Sequence, residues 1–325
     1  MPKVSVIIPV YQVERFIENC ARSLFEQTLD DIEYLFIDDC STDRSVDILQ
    51  QVINEYPNRK QQVAIHRMEQ NSGQALVRKW GMKHAVGDFL IHCDTDDWPE
   101  KDQYEIMYNT AIDQSADLIF CDYYRVYPNG KKVYNDRNIN IDNKIDLLHR
   151  MLTGYHDVNQ LWDCMMRRNL IQDIEYPEGN QGEDRVIMFQ VIYNSTKMTY
   201  VKEALYNYFI NSNSLVRSTT PDKLIERAWH SAKNLETILK CLKKYGLHDT
   251  FTEQIVFSKF EPRIILSLGL YNKKCREHWY NIYPEINKSV FKNRYITKSS
   301  KLKELIMRMH LGSIYGYLYY IIKHV

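Results

Sequence analysis

Two clusters of acidic side chains each follow directly after a short apolar run. The clusters are Asp38 and Asp39, after residues 34–37, and Asp94, Asp96 and Asp97, after residues 89–93. Crowded carboxylates repel one another, so they are stable mainly where a cation or hydrogen-bond donors neutralise them. Hard divalent ions such as Mg²⁺ and Mn²⁺ prefer oxygen ligands. The clusters therefore predict a site that is occupied by a divalent cation or by hydrogen-bond donors.

The elements that position these clusters follow from hydrophobic patterning. Apolar runs occur at residues 4–10, 34–37, 63–66, 89–93 and 118–121, and apolar residues recur at helical spacing between them. Runs that are apolar on both faces are typical of parallel strands covered by helices. The alternation predicts an α/β fold with a doubly wound, mostly parallel sheet. Ligands bind such sheets at the carboxyl ends of the strands, so we expect both clusters on one edge.

From about residue 124 the regular alternation stops. The sequence predicts a turn at residues 128–130, helices at 145–152 and 160–171, and short strands at 200–201 and 205–210. A glycine-rich loop at 179–182 is expected to be flexible. We predict a first domain at 1–220, in which the regular alternation covers about 1–123 and a less regular part covers about 124–220. Residues 221–325 are predicted to form a helical, basic region.

Charge and cysteine usage restrict the partners and the compartment. The chain has 42 basic and 42 acidic residues, but residues 1–220 hold 33 acidic against 23 basic ones. An acidic body argues against nucleic-acid binding, whereas the basic end suits anionic lipid. The seven cysteines show no zinc-site spacing and no paired framework, which favours a reducing cytosol. The short apolar run at the start does not resemble a secretory signal, so we expect a cytoplasmic protein.

The last 25 residues are expected to form an amphipathic surface. Leu302, Leu305, Ile306 and Met309 recur at helical spacing, and residues 311–322 contain four tyrosines and no charge. Twelve residues are too few to span a bilayer, which needs about 20. The pattern predicts a helix that lies on the inner face of the cell membrane, making the protein peripheral. The alternative is packing against the catalytic domain or against a second copy in a homo-oligomer.

The motifs together resemble the family 2 glycosyltransferases of the GT-A fold. The matching segments, in order, are residues 6–11 (VIIPVY), 37–43 (IDDCSTD), 71–73 (NSG), Arg78, 93–97 (CDTDD), Trp162, 182–184 (GED) and 206–208 (YNY). The resemblance covers about residues 3–218. It implies that the domain at 1–220 is catalytic, with a nucleotide-binding half at about 1–123 and an acceptor half at about 124–220. It implies a metal-dependent, inverting hexosyltransferase of polysaccharide biosynthesis. Its substrates would be a nucleoside-diphosphate sugar, with a UDP-sugar favoured, and a glycan or lipid-linked acceptor.

The resemblance also implies residue roles. The nucleotide contacts would be Pro9, Tyr11, Asp39, Arg78 and Asp94. Asp96, in the family's DxD element, would hold Mg²⁺ or Mn²⁺, with Asp94 and Asp97 as alternatives. Three departures affect the nucleotide side. Cys40 replaces the usual glycine, Gln12 replaces the usual asparagine, and His92 and Cys93 precede the DxD element where large apolar residues are usual.

The acceptor side is predicted from fewer residues. Asp184 would be the general base, with Glu183 as the alternative, and both also suit a helix N-terminus. Trp162 and His156 would line the acceptor side, although Trp162 equally suits the core. A catalytically silent relative that binds glycans or scaffolds a complex is the alternative function, and the intact acidic residues argue against it. A dehydrogenase is excluded because residues 9–12 lack the GxGxxG glycines.

Overall fold

The computed structural model describes residues 1–154, 158–210 and 220–324. The chain forms two compact units. The first comprises Met1–Leu147, Asp157–Tyr176 and Ile187–Ser212, and the second comprises Leu148–His156, Pro177–Val186 and Asn213–Val325. The second unit thus includes two segments that precede residue 220, where the sequence predicted a single boundary.

One mixed sheet forms the centre of the first unit. Its strands are β1 (Val4–Val10), β2 (Ile32–Asp38), β3 (Val63–Arg67), β4 (Phe89–His92), β5 (Trp98–Pro99), β6 (Leu118–Val126), β7 (Lys132–Asn135), β8 (Cys164–Arg167) and β9 (Met198–Phe209). Their order is β3-β2-β1-β4-β8-β6-β9-β5, and β7 pairs with β6. The four strands β3, β2, β1 and β4 are mutually parallel, whereas β8 pairs antiparallel with both β4 and β6.

Helices complete the α/β architecture. They are α1 (Ile17–Phe25), α2 (Ser45–Glu55), α3 (Gln74–His84), α4 (Gln103–Asp113), α5 (Lys144–Met151) and α6 (Glu183–Asn194). Residues of α1, α2 and α4 pack on the sheet in one core cluster, because their apolar residues recur on one face. The predicted α/β fold with a helical C-terminal region is confirmed.

Two local predictions were wrong. Residues 160–171, expected as a helix, contain β8 followed by a 3₁₀ turn at Arg168–Ile171. The methionine-rich run of β8 lies buried between β4 and β6, and this pairing outweighs the helix propensity of methionine. The two short strands expected at 200–201 and 205–210 are one strand, β9, with an irregular register opposite Asp122.

The second unit is helical, as predicted for the C-terminal region. Its helices after residue 220 are α7 (Pro221–Lys244), α8 (Thr252–Leu266), α9 (Lys273–Asn281), α10 (Asn287–Val290), α11 (Lys298–Arg308) and α12 (Gly312–His324). Phe260 and Trp279 belong to their shared core. The Arg263 guanidinium lies 3.0 Å from the Glu304 carboxylate, and both side chains are buried. Among the described helices, none has the length and apolar character needed to traverse a bilayer.

Candidate active site

The carboxyl ends of three neighbouring parallel strands bring the two acidic clusters to one edge. Val10 of β1 is in register with Asp38 of β2, and Ile7 of β1 with His92 of β4. Adjacent strands lie about 4.8 Å apart, so the strand ends before Asp39 and Asp94 are separated by about 10 Å. The end of β1 lies between them. The expected shared edge is present.

The first cluster is held by backbone amides. The two carboxylate oxygens of Asp39 accept hydrogen bonds from the amides of Ser72 and Gly73, at 2.7 and 2.8 Å. Asp38 is buried, accepts from the Ser41 amide at 2.8 Å and pairs with Arg67 at 2.7 Å. Asp38 is therefore a structural residue. Asp39 connects the end of β2 to the turn before α3, and each of its oxygens retains lone pairs for another donor.

Two of the departures from the family pattern, Cys40 and Gln12, have left-handed backbone. Cys40 has φ 62° and Gln12 has φ 55°. The Cys40 thiol donates to the Met68 carbonyl at 2.9 Å, and the side-chain amide of Gln12 donates to the Thr42 hydroxyl at 2.8 Å. A side chain at such a φ costs roughly 1–2 kcal/mol relative to glycine. The loop after β2 thus keeps a glycine-like conformation without a glycine.

Arg78 is buried below the second cluster. Its guanidinium donates to the Asp94 carboxylate at 2.9 Å and lies 3.1 Å from Nδ1 of His92. Burial, followed by the positive charge of Arg78, keeps the pKa of His92 well below its usual value. A neutral His92 accepts through Nδ1, so it orients Arg78 without opposing its charge. The Asp94 side chain is 25% exposed, so it remains accessible from outside.

Asp97 is enclosed, unlike the other carboxylates of its cluster. One oxygen accepts from the Phe209 amide at 2.7 Å, and the other lies 3.1 Å from the Tyr206 hydroxyl. Burial, followed by the neighbouring carboxylates with Asp96 first, raises the pKa of Asp97 well above its usual value. Tyr206 also accepts a hydrogen bond from the Asp94 amide at 3.1 Å. These bonds fix the turn from Asp94 to Asp97 against β9, and they disfavour Asp97 as a direct metal ligand.

An aromatic stack supports the same turn. Trp162 is buried, and its ring stacks on Tyr206 at 4.6 Å and on Tyr208 at 5.5 Å between centroids. The Tyr208 side chain is 37% exposed. Burial and then the nearby carboxylates, with Asp97 first, raise the pKa of its phenol. Trp162 therefore lies in the wall behind the acidic turn, and Tyr208 is the more exposed ring of the stack.

A complete protein-only metal site does not occur in the described residues. No group of three or more His, Cys, Asp or Glu side chains among residues 1–154, 158–210 and 220–324 has the arrangement to hold a metal ion. A magnesium or manganese site at Asp94 and Asp96 is compatible with this finding. Such ions are commonly held by one or two carboxylates together with substrate phosphates.

The predicted base lies in the second unit. Gly182 has φ 75°, a conformation that favours glycine, and α6 begins at the next residue. Glu183 is buried and Asp184 is half-buried in the first turn of this helix. Arg185 forms an ion pair of 2.6 Å with Glu261. Of the two candidate bases, Asp184 is the more exposed.

The loop before α6, expected to be flexible, is fastened to α7. The Asn234 side chain accepts from the amides of Glu178 and Gly179 at 3.1 and 2.9 Å. It also donates to the carbonyls of Gly179 and Gln181 at 2.7 and 3.0 Å. The four bonds hold the loop through one buried side chain. The other predicted acceptor residue, His156, lies outside the described residues.

Comparison with known proteins decides the family. The sequence model of glycosyl transferase family 2 matches residues 5–174. The chain belongs to glycosyl transferase family 2. EpsH of Bacillus subtilis, a glycosyltransferase by name, is 30% identical over 230 residues, which are 66% of this chain and 63% of EpsH. The match therefore spans less than two thirds of that relative.

Solved structures of similar fold include two complexes with nucleotide sugars. Staphylococcus aureus TarS 1-349 in complex with UDP-GlcNAc has a TM-score of 0.67 and 18% identity, covering 97% of this chain and 89% of TarS. The Pyrobaculum calidifontis mannosyltransferase PcManGT, with GDP-Man and Mn²⁺, has a TM-score of 0.53 and 14% identity, covering 94% and 87%. These similarities confirm the GT-A fold.

The structure adds roles that the family 2 motifs did not indicate. Tyr206 was part of a matched motif, but the sequence does not show that its hydroxyl contacts both ends of the acidic turn. Arg78 was expected at the diphosphate, yet its described bonds go to Asp94 and His92. A histidine before the DxD element, where the family has a large apolar residue, was the available signal for this arrangement.

Proposed function

We propose that this chain transfers a sugar from a nucleoside-diphosphate sugar to a glycan or lipid-linked acceptor with inversion at the anomeric carbon. Asp39, Pro9 and Tyr11 would contact the nucleotide. The domain limits proposed for this activity remain 1–220 for catalysis and 221–325 for the helical region. A UDP-sugar is the favoured donor, supported by the complex of TarS with UDP-GlcNAc.

The observation that carries the proposal is the fixed acidic turn at the carboxyl edge. Asp97 and Tyr206 hold the turn from inside, and Arg78 holds the Asp94 carboxylate from below. Asp96 is half-buried at the same turn. A site whose carboxylates are oriented before the substrate arrives loses little free energy in reorganising, which is the basis of electrostatic catalysis.

Asp94 and Asp96 would hold Mg²⁺ or Mn²⁺ together with the donor's phosphates. A bound divalent ion supplies charge neutralisation for the departing diphosphate. The Mn²⁺ in the PcManGT complex supports this choice of ion. Arg78 would act as a positioning residue for Asp94, because its guanidinium is buried.

Asp184 would remove the proton from the acceptor hydroxyl. It is more exposed than Glu183, and it lies at the start of a helix, where the macrodipole stabilises the carboxylate. General base catalysis typically contributes about 10²–10⁴-fold to the rate. Trp162 would support the acceptor side through Tyr208 rather than through direct contact with a sugar.

The proposal is tested with Asp184→Asn and the matched variant Glu183→Gln. Donor binding is first measured by thermal shift, where a nucleotide sugar at about 100 times its dissociation constant adds about 2.7 kcal/mol to the free energy of unfolding. Both variants should bind donor with Mn²⁺ as the wild type does. Transfer to acceptor should fall about 10²–10⁴-fold in Asp184→Asn and stay near wild type in Glu183→Gln.

Full transfer by Asp184→Asn would remove the base assignment. Wild-type protein that binds donor but neither transfers nor hydrolyses the sugar would support the silent relative instead. A wild type that binds no nucleotide sugar, with or without Mn²⁺, would remove the proposed function.

A further inference from the structure

Helix α11 exposes an apolar stripe on the side opposite its packed face. Leu302, Leu305 and Met309 lie on one face of the helix at spacings of three and four residues, and all three are about half exposed. Glu304 and Met307 lie on the opposite face and are buried. Amphipathic helices of globular proteins normally turn the apolar stripe inward. In α11 an apolar stripe faces outward, while the buried face carries Glu304 beside Met307.

Helix α12 shows the same arrangement. Ile314, Tyr317, Leu318 and Ile321 recur at spacings of three and four residues, and all four are exposed. The packed side is fixed by Gly316, where a Cβ atom would lie 2.2 Å from the carbonyl carbon of Leu270. Because only glycine permits this close approach, α12 cannot rotate its apolar stripe toward the core without losing the contact.

The exposed charged side chains of this C-terminal segment are all positive. Residues 298–325 contain five lysines and arginines and one acidic residue, Glu304. Glu304 is buried, and its oxygens accept from Arg263 at 3.0 Å and from Arg308 at 3.1 Å. The described side chains of this segment therefore expose apolar groups and cations without an exposed carboxylate.

We infer that the outer faces of α11 and α12 dock on an anionic lipid bilayer. An interfacial helix places an apolar face at the boundary of the acyl chains and cations at the headgroups, and both are present here. Helix α12 has 13 residues, so its length of about 20 Å is shorter than a bilayer's hydrocarbon core and suits the membrane plane. A second copy is the less favoured occupant, since a symmetric interface sets each patch against itself and cations against cations.

Vesicle binding tests this surface independently of any sugar transfer. The full chain is mixed with vesicles of phosphatidylglycerol and phosphatidylcholine in equal parts, and with vesicles of phosphatidylcholine alone, and bound protein is separated by flotation. Wild type should bind the anionic vesicles more tightly than the neutral ones. Neutralising Lys298 as Lys298→Gln should lower the partition coefficient on anionic vesicles by about fivefold.

The apolar part is tested with the double variant Ile314→Ser/Leu318→Ser, which keeps the net charge. Its binding should fall at least about tenfold. Ile112→Ser is the matched control, because Ile112 is 48% exposed on α4 of the other unit and Ile314 is 60% exposed. The control should bind as wild type does. Point variants are preferred to deleting 301–325, which would leave the buried Arg263 charge without Glu304.

Several results would overturn the inference. Equal flotation of wild type and the double variant would show that the stripe does not touch lipid. Equal binding to anionic and neutral vesicles would remove the role of the cations. A wild-type dimer in sedimentation that the double variant converts to a monomer, with no vesicle binding, would show that a second copy covers the surface. A wild-type protein that binds vesicles as expected but transfers no sugar would count against the proposed function and not against this inference.

Discussion

Replacing Tyr206 by phenylalanine removes one hydroxyl from beneath the acidic turn. That hydroxyl accepts from the Asp94 amide and lies 3.1 Å from an Asp97 oxygen. The ring would keep its stacking on Trp162, whose centroid lies 4.6 Å away. The variant therefore separates the hydrogen bonds from the packing.

The expected decrease in the free energy of unfolding follows from the two hydrogen bonds of this hydroxyl. Each buried hydrogen bond contributes about 1 kcal/mol net, and a buried donor left without an acceptor costs about 1–3 kcal/mol. Tyr206→Phe should therefore lower the free energy of unfolding by about 2–4 kcal/mol. Because the Asp94 backbone loses its restraint, the affinity for donor should fall as well.

Urea unfolding and donor titration measure both effects. Tyr208→Phe is the matched control, since it lies on the same strand and stacks on the same tryptophan, but its side chain is 37% exposed. The control should change the free energy of unfolding by less than about 1 kcal/mol. If Tyr206→Phe were as stable as Tyr208→Phe and bound donor equally, the reasoning about the turn would be refuted.

Substitutions at three further positions test local features. Cys40→Gly should leave the midpoint of urea unfolding unchanged or raise it, because φ is 62° at this position. Cys40→Val should lower the free energy of unfolding by about 1–3 kcal/mol for the same reason. Equal midpoints for the two variants would contradict this. Glu304→Gln should lower the free energy of unfolding, measured by calorimetry, by about 3–5 kcal/mol, because the Arg263 charge stays buried without its partner. A decrease below about 1 kcal/mol would mean that the pair is solvated. Gly316→Ala should increase amide hydrogen exchange in α12, because the added methyl group meets the Leu270 backbone; unchanged exchange would show that this contact is loose.

The strands that position the acidic clusters were predictable because their signal is local. The runs at residues 4–10, 63–66 and 89–93 are short and apolar on both faces. The bounds of each run agree with those of a strand in the structure to within one residue. Since parallel strands have their carboxyl ends at one edge, the meeting of Asp39 with Asp94 at that edge followed from the pattern.

Other features depend on partners distant in sequence. The strand at Cys164–Arg167 was mistaken for a helix because only its neighbours β4 and β6 determine it. The Tyr206 hydroxyl acts on residues 109 and 112 positions earlier in the chain. Hydrophobic periodicity carries no information about such a long-range contact. The hydrogen bonds between Tyr206 and the acidic turn were therefore not predictable from the motifs.

The same limit applies to the C-terminal helices. Periodicity identified the apolar stripe of α11, but the direction of the stripe depends on the buried pair of Arg263 and Glu304, 41 residues apart. A polar residue on the packed face has no local signature. The sequence therefore predicted the amphipathic helix and left open which face is packed.

Calorimetric titration of UDP and of GDP, each with and without Mn²⁺, tests the central claim that the Asp94–Asp96 turn binds a diphosphate through a divalent ion. The titration compares wild type with Asp96→Asn and with Asp113→Asn, an exposed control at the end of α4. Wild type and control should bind one of the nucleotides in a Mn²⁺-dependent way. Asp96→Asn should bind it at least about tenfold more weakly. Wild-type affinity in Asp96→Asn, or binding that is indifferent to Mn²⁺, would contradict the account.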